Sequence, residues 1–271
     1  MKRLLLATTA IIGVISAWAW KPIFIGHRGC YMGVMNTAEA FINGVDHYGY
    51  QGLECDVRVT LDGCYVISHD ETTNAVGGTL TVANATLVQL QAEAYAQTRG
   101  GVSYTGYICT VAEYLDICKE KDVTPVVELK WATGINNNDM SNFPGLAALI
   151  EEKGLTDKAI ILTSMRKSLE YVRSNYPALK CQFLCNSNWE THFDWIVKWG
   201  LMPSIQSGCL DKNTVKRFHD KGLEVAVWTV NSLENYKRYG EMGVSMITCD
   251  YLMPSEMPEL EDIDWDETGE P

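Results

Sequence analysis

Glu224-Val225-Ala226-Val227-Trp228-Thr229-Val230 leads into Asn231-Ser232, the amphipathic Leu233–Met242, Gly243 and then Met246-Ile247-Thr248. A β-branched run, cap chemistry in Asn and Ser, a helical pattern and a glycine stop make one strand–helix–strand unit. The same unit recurs along the chain. Strands are expected at Ile23–His27, Gly52–Val57, Thr124–Lys130, Ala159–Ser164, Cys181–Cys185, Ser204–Gln206, Glu224–Val230 and Met246–Thr248. Helical patterns lie at Val111–Lys121, Leu169–Asn175 behind a Ser168 cap, Trp189–Trp199, and Asn213–Lys221 with Gly222 as its stop. Such alternation gives parallel strands with helices outside. Eight strands over about 230 residues predict an α/β fold, the (β/α)8 TIM barrel.

One segment breaks the alternation. Val57–Thr60, Leu61-Asp62-Gly63 and Cys64–His69 read as a hairpin with an Asp-Gly turn. A turn centred on Asp62 sets Thr60 opposite Cys64 and Asp56 opposite Ser68, which folds His69 back beside Glu54 and Asp56. A slip of one residue would point His69 the other way. The Gly-, Ala-, Thr- and Gln-rich stretch at about residues 71–108 has weaker periodicity, and a small insertion over the barrel mouth is expected there. Asn136–Asp139 reads as a loop after the third barrel strand.

The two ends have their own character. Lys2-Arg3, the apolar Leu4–Ala17 and Ala17-Trp18-Ala19 read as a secretory signal peptide over residues 1–19, cleaved before Trp20, so an exported protein is expected. The apolar run is shorter than the roughly 18–20 residues a membrane-crossing helix needs, and no other segment is long enough. The barrel is expected over residues 20–255. An acidic tail follows over 256–271, with eight acids and no base between Glu256 and Glu270. The whole chain of 271 residues carries a net charge of −12, which becomes −14 when Lys2 and Arg3 are removed. A surface of that sign repels the phosphate backbone and argues against a nucleic-acid partner. The nine cysteines fit no small disulfide scaffold; Cys55, Cys118 and Cys185 fall within expected strands and helices, as buried thiols.

Period-two geometry puts Glu54 and Asp56 on one face of their strand, and Glu128 and Lys130 on one face of theirs. Strand ends at the C-terminal face are where barrels keep their chemistry. Carboxylates converging there repel one another unless a cation lies among them, and oxygen ligands suit Ca2+ or Mg2+. His27 and His69 follow apolar β runs and titrate near neutrality, so one can act as base and the other as acid. Arg28 and Lys130 are cations suited to a phosphate. Metal, paired histidines and cations together fit cleavage of a phosphodiester.

At this point the sequence resembles the glycerophosphodiester phosphodiesterase family, a PI-PLC-like phosphodiesterase barrel. The matching pieces are His27-Arg28-Gly29, Asn36-Thr37 leading to Ala40-Phe41, Glu54-Cys55-Asp56-Val57 with Thr60-x-Asp62-Gly63, and His69-Asp70. Further along come Glu128-Leu129-Lys130, Val227-Trp228-Thr229-Val230-Asn231 and Ile247-Thr248-x-Asp250. They span residues 25 to about 252 in order. The resemblance implies a (β/α)8 barrel with one divalent cation held by Glu54, Asp56 and Glu128. It implies His27 and His69 as acid/base catalysts, Arg28 and Lys130 on the phosphate, and Trp228 lining the substrate pocket. The implied reaction releases sn-glycerol 3-phosphate and an alcohol from a small glycerophosphodiester. The chain departs from the family at Val34-Met35, where Pro-Glu usually precedes the Asn-Thr pair. That acid is not a metal ligand; it normally helps order the loop around the first histidine. Two other readings remain open on these residues. One is a lipid phosphodiesterase of the lysophospholipase D or sphingomyelinase D kind. The other is a phosphodiester-binding protein without catalysis. The alcohol group, Ca2+ against Mg2+, the assignment of acid and base between the histidines, and the oligomeric state are also open.

Overall fold

The structure, a computed structural model, describes residues 21–130 and 139–260. The expected signal peptide, most of the Asn136–Asp139 loop and the tail beyond residue 260 lie outside the described residues. The elements run β1 (Ile23–Gly26), α1 (Ala38–Asp46), β2 (Gly52–Val59), β3 (Tyr65–Ile67), α2 (Leu87–Gln91), β4 (Tyr95–Arg99), β5 (Val102–Gly106) and α3 (Val111–Glu120). They continue with β6 (Thr124–Leu129), α4 (Phe143–Glu152), β7 (Ile160–Thr163), α5 (Arg166–Asn175), β8 (Lys180–Cys185) and α6 (Phe193–Trp199). The chain closes with β9 (Met202–Gln206), α7 (Lys212–His219), β10 (Ala226–Trp228), α8 (Leu233–Glu241) and β11 (Met246–Cys249).

The strands β1, β11, β10, β9, β8, β7, β6 and β2 pair in that order, all parallel, and β2 returns to β1 through Ile25↔Gly52. This is a closed (β/α)8 barrel with helices between the strands. The eight expected strands are all present, shifted by a residue or two at their ends. β3 lies antiparallel on β2 in the expected register: Val57 faces Ile67, Thr60 N donates to the Cys64 carbonyl at 3.0 Å, and Ser68 N donates to the Asp56 carbonyl at 2.8 Å. Pairing with β3 also carries β2 two residues past its expected end.

Local chemistry sets the helix starts. Ser232 caps α8, its hydroxyl accepting from Asn235 N at 3.2 Å. Thr110 and Glu113 form a reciprocal capping box on α3. α5, however, begins at Arg166, and Ser168 is a buried residue of its first turn instead of a cap. The helix turns its Leu169 and Val172 face to the sheet, and Ser168 is drawn in with them. The expected helix at Trp189–Trp199 starts as a 3-10 turn, Trp189–His192, before α6. Helices α1 and α4 were not expected from periodicity.

Alternation along the strands sorts side chains into two apolar layers. Cys55, Val57, Val127, Leu129 and Val227 point outward against helix residues such as Leu115 and Phe143. Leu115 is fully buried there, and its truncation to Ala would cost about 2–5 kcal/mol. Ile25, Val126, Ile160 and Leu162 fill the barrel interior below the acidic mouth. A third cluster, Val34, Val66, Val82, Leu90, Tyr95 and Ile108, lies beneath the segment from 71 to 108. That segment contains two 3-10 turns, α2 and the antiparallel β4–β5 hairpin.

Candidate active site

Glu54 and Asp56 point inward from β2 while Cys55 between them points out into the helix layer. Asp56 and Glu128 are register partners on β2 and β6. One oxygen from each of Glu54, Asp56 and Glu128 lies within 4.8 Å of the others. Glu54 and Asp56 are almost wholly buried, at 3% and 0% exposure.

The β1–α1 loop folds down onto these acids. Arg28 N donates to Glu54 Oε2 at 3.0 Å, and Arg28 Nε lies 3.3 Å from Asp56 Oδ2. Asn36 Nδ2 donates to the same Asp56 oxygen at 2.8 Å. The tight path requires Gly29, where φ is +91° and a Cβ would lie 2.7 Å from the Ala40 backbone. Lys130 Nζ reaches Glu128 Oε1 at 2.6 Å and Asp56 Oδ1 at 3.4 Å. The five charged residues named from the sequence therefore meet in one cluster.

Both histidines come to the same mouth, each with a carboxylate on Nδ1. Asp250 Oδ1 lies 2.8 Å from His27 Nδ1, and Asp70 Oδ1 lies 2.7 Å from His69 Nδ1. A carboxylate accepts from an N–H, so each pair assigns the proton to Nδ1 and leaves Nε2 as the working nitrogen. Asn231 fixes Asp250 in turn, donating from Nδ2 to Asp250 Oδ2 at 2.6 Å and accepting from Asp250 N at 2.9 Å. Arg58 pins His69 by donating from Nη2 to its carbonyl at 2.8 Å. Trp228 ends β10 on the wall facing β6, half-buried, its Nε1 donating to the Ser204 carbonyl at 3.0 Å.

With Val34-Met35 in place of Pro-Glu, the loop around His27 is held from a distant strand. Met35 N donates to Gln97 Oε1 at 3.1 Å, and Arg99 Nη1 donates to the Cys30 carbonyl at 2.7 Å. Gln97 and Arg99 both belong to β4, so that strand holds the loop. Met35 Sδ accepts from Arg28 Nη1 at 3.6 Å.

The electrostatics are those of crowded acids. Burial, followed by the charges of Asp56 and Glu128, holds the Glu54 carboxyl well above the usual range. Burial and the Asp56 charge push Glu128 up to about 7. Asp56 goes the other way: burial opposes its ionisation, but Arg28 and Lys130 outweigh burial and keep it low. Burial lowers His69, aided by Arg28 and Lys130 and opposed by Asp56. Asp250 is held low against burial by its hydrogen bond and charge interaction with His27. Glu54 Oε1 and Asp56 Oδ1 are buried and accept no hydrogen bond. Buried carboxylate oxygens that accept no hydrogen bond, with the Lys130 ammonium 3.4 Å from Asp56 Oδ1 as the nearby countercharge, fit a hard divalent cation bound by oxygen.

Sequence reasoning assigned no role to Asp250, Asn231, Asn36 or Arg58. Asp250 and Asn231 stand just beyond β11 and β10, at the C-terminal face, and that position was the available signal.

Comparison with known proteins agrees with this architecture. The family model described as "Glycerophosphoryl diester phosphodiesterase family" matches residues 27–253. A glycerophosphodiester phosphodiesterase of Caldanaerobacter subterraneus is 28% identical over 247 residues, covering 85% of this chain and 94% of that protein. Among solved structures, a glycerophosphodiester phosphodiesterase from Thermotoga maritima matches with a TM-score of 0.66 at 21% identity, covering 85% of this chain and 95% of that one. An Oleispira antarctica phosphodiesterase, solved with the product sn-glycerol-3-phosphate, matches with a TM-score of 0.74 at 16% identity, covering 86% and 94%. The family match spans every site residue described above, and the chain belongs to the glycerophosphoryl diester phosphodiesterase family of phosphoric diester hydrolases.

Proposed function

We propose that the protein hydrolyses small glycerophosphodiesters to sn-glycerol 3-phosphate and an alcohol, using one divalent cation, Ca2+ or Mg2+, and two histidines. The observation that carries this reading is the convergence of Glu54, Asp56 and Glu128 at one mouth with two histidines, each backed by a carboxylate. The product named for the Oleispira phosphodiesterase has the same chemistry. Glu54, Asp56 and Glu128 hold the cation, which when bound neutralises charge on the phosphoryl oxygens. Arg28 and Lys130 offer donors to the phosphate, and Trp228 lines the pocket. One histidine takes a proton at Nε2 from the nucleophile, either water or the glycerol 2-hydroxyl. The other donates from Nε2 to the leaving alcohol. Asp250 and Asp70 keep the two rings in the tautomer this requires and favour the imidazolium when it forms.

The test is release of glycerol 3-phosphate from glycerophosphocholine by residues 20–271 with Ca2+, Mg2+ or EDTA. Metal-dependent turnover that disappears in Glu54→Ala and in His27→Ala is expected. Folded protein without turnover in either metal would refute the reading.

A second reading, a lipid-borne substrate, is favoured by one observation. Leu61, Val88, Val102 and Tyr107 are 64%, 75%, 52% and 59% exposed, in the β2–β3 turn and the segment above the mouth. Exposed apolar side chains on these elements suit contact with an amphiphile. Faster cleavage of micellar lysophospholipid than of glycerophosphocholine would establish it. Export is proposed from residues 1–19, and intact-mass measurement of the secreted protein should give Trp20 as its first residue. No helix among the described residues is long and apolar enough to cross a membrane, and the net charge of −12 disfavours nucleic acid.

A further inference from the structure

Arg28 meets the acids through its backbone N–H and its Nε, which lie 3.0 Å from Glu54 Oε2 and 3.3 Å from Asp56 Oδ2. The outer end of its guanidinium has different company. Nη1 donates to the Met35 thioether at 3.6 Å, and Nη2 has no hydrogen-bond partner among the described residues. A thioether is a weak acceptor and carries no charge. The Arg28 side chain keeps 21% of its surface exposed, and with Met35, Asp70 and Tyr95 it lines a small cavity beside His69. Position 35 therefore stands at the mouth, in contact with one of the two cations proposed for the phosphate.

The neighbouring charges are matched. Lys130 Nζ lies 2.6 Å from Glu128 Oε1 and 3.4 Å from Asp56 Oδ1, and Asp250 and Asp70 each face a histidine. An acidic side chain at position 35 would match the outer end of Arg28 as well, through a charge-assisted hydrogen bond. Methionine leaves that positive charge uncancelled. Electrostatic reach makes this matter for the substrate. Between exposed groups a charge is felt over about a Debye length, about 10 Å at 0.1 M salt, and screening is weaker where the groups are partly buried. A charge at position 35 is thus felt along both arms of a phosphodiester held at Arg28. The glycerol arm is uncharged, so discrimination by charge falls on the alcohol.

We propose that Met35 is a specificity-determining residue: by leaving the outer end of Arg28 unneutralised, it suits the site to phosphodiesters whose alcohol carries further negative charge, such as a phosphorylated polyol. The proposal rests on the phosphodiesterase reading above. A cationic alcohol is disfavoured by the same field.

Met35→Glu adds a charge, and Met35→Gln adds polarity at the same length without one. Both keep the backbone N–H that ties the loop to Gln97. Each is compared with wild type on glycerophosphoinositol and glycerophosphoinositol 4-phosphate, which share a framework and differ by the charge of one phosphate. The quantity read is the ratio of kcat/KM for the phosphorylated diester to that for the plain one. In Met35→Glu this ratio should fall about tenfold, and in Met35→Gln it should stay within about twofold of wild type. A ratio unchanged in Met35→Glu, or lowered equally in Met35→Gln, overturns the proposal. Wild type alone gives a check that no misfolded variant can spoil. Rising NaCl should lower kcat/KM for the 4-phosphate more steeply than for glycerophosphoinositol, and equal slopes overturn the proposal. Calorimetry separates the proposal from the reading it rests on. Wild-type protein that cleaves neither diester, yet binds glycerophosphoinositol 4-phosphate with an affinity that Met35→Glu weakens about tenfold and Met35→Gln does not, overturns the phosphodiesterase reading and keeps the role of Met35.

Discussion

Replacing Asp250 by Asn tests how far the His27 ring depends on the carboxylate behind it. The 2.8 Å contact between Asp250 Oδ1 and His27 Nδ1 is largely shielded, the two side chains being 18% and 24% exposed. Asparagine has nearly the same shape, so what changes is the charge and the acceptor at that position. An amide presenting NH2 to Nδ1 would reverse the tautomer and put the proton on Nε2; one presenting oxygen would still lose the charge that favours imidazolium. A hydrogen bond to a charged group is worth about 1.5–3 kcal/mol. At 1.36 kcal/mol per factor of ten, kcat should fall about 10- to 150-fold. Asp250 makes no contact with Arg28 or Lys130, the proposed phosphate donors, so KM should stay within about threefold, the pattern of an interaction made chiefly in the transition state. The assay is steady-state cleavage of glycerophosphocholine by both proteins with saturating metal, with thermal melts to confirm folding. A folded Asp250→Asn protein whose kcat stays within about threefold of wild type would refute the argument that this carboxylate supports a working His27.

Other perturbations follow from the same geometry. Glu54→Gln removes one buried carboxylate of the proposed cation site while keeping its shape, so calorimetric Ca2+ or Mg2+ titration should show one site in wild type and none in the variant. Saturating metal at about 100 times Kd should add about 2.7 kcal/mol to wild-type stability, seen as a rise in Tm absent from Glu54→Gln. Tyr114→Phe leaves the Leu53 carbonyl and Val126 N without the hydroxyl that now meets them at 2.6 and 3.1 Å. Denaturant unfolding should show a loss of about 1–3 kcal/mol, because these groups are buried where α3 crosses β2 and β6. Asp211 caps α7 by accepting from Thr214 N and Thr214 Oγ1, each at 2.7 Å, and Asp211→Ala should cost about 1 kcal/mol. Those bonds hold the Asp211 carboxyl below its ordinary range. Its contribution is therefore complete above the unfolded carboxyl value of about 3.9 and is lost as pH falls through the lower folded value. The stability gap between wild type and Asp211→Ala should close on acidification and remain level near neutrality.

The substitution at Met35 has a structural answer. The loop that the family's usual acid helps order is here tied to β4 through Gln97 and Arg99, residues far along the chain within the segment over the mouth. The same segment supplies Tyr95 to the cavity beside His69. One stretch without clear periodicity thus both supports the loop around His27 and lines the space next to it.

Sequence alone determined the parts of this protein governed by local geometry. Alternation of two residues shows which side chains leave a strand inward, so Glu54 with Asp56 and Glu128 with Lys130 could be paired before any fold was known. The Asp62-Gly63 turn predicted the β2–β3 register, and with it the return of His69 toward the acids, while strand pairing decided against a one-residue slip. Cap and stop residues bounded α8 to within a residue, and apolar spacing did the same for α3. Ser168 misled because a serine before an apolar run has the same local pattern whether it caps a helix or is carried inside its first turn; packing against the sheet decides. Tertiary structure alone decided contacts made by barrel closure. Asp250 lies 223 residues from His27 and meets it only because β1 and β11 pair. Asn36 and Gln97 likewise acquire their partners where the β1–α1 loop meets the β4–β5 hairpin and the acids of β2, and Arg58 where β3 returns His69 beside it. Local backbone preferences repeat with the period of the chain and can be read from it. The partner of a buried polar atom depends on which distant segments close around it.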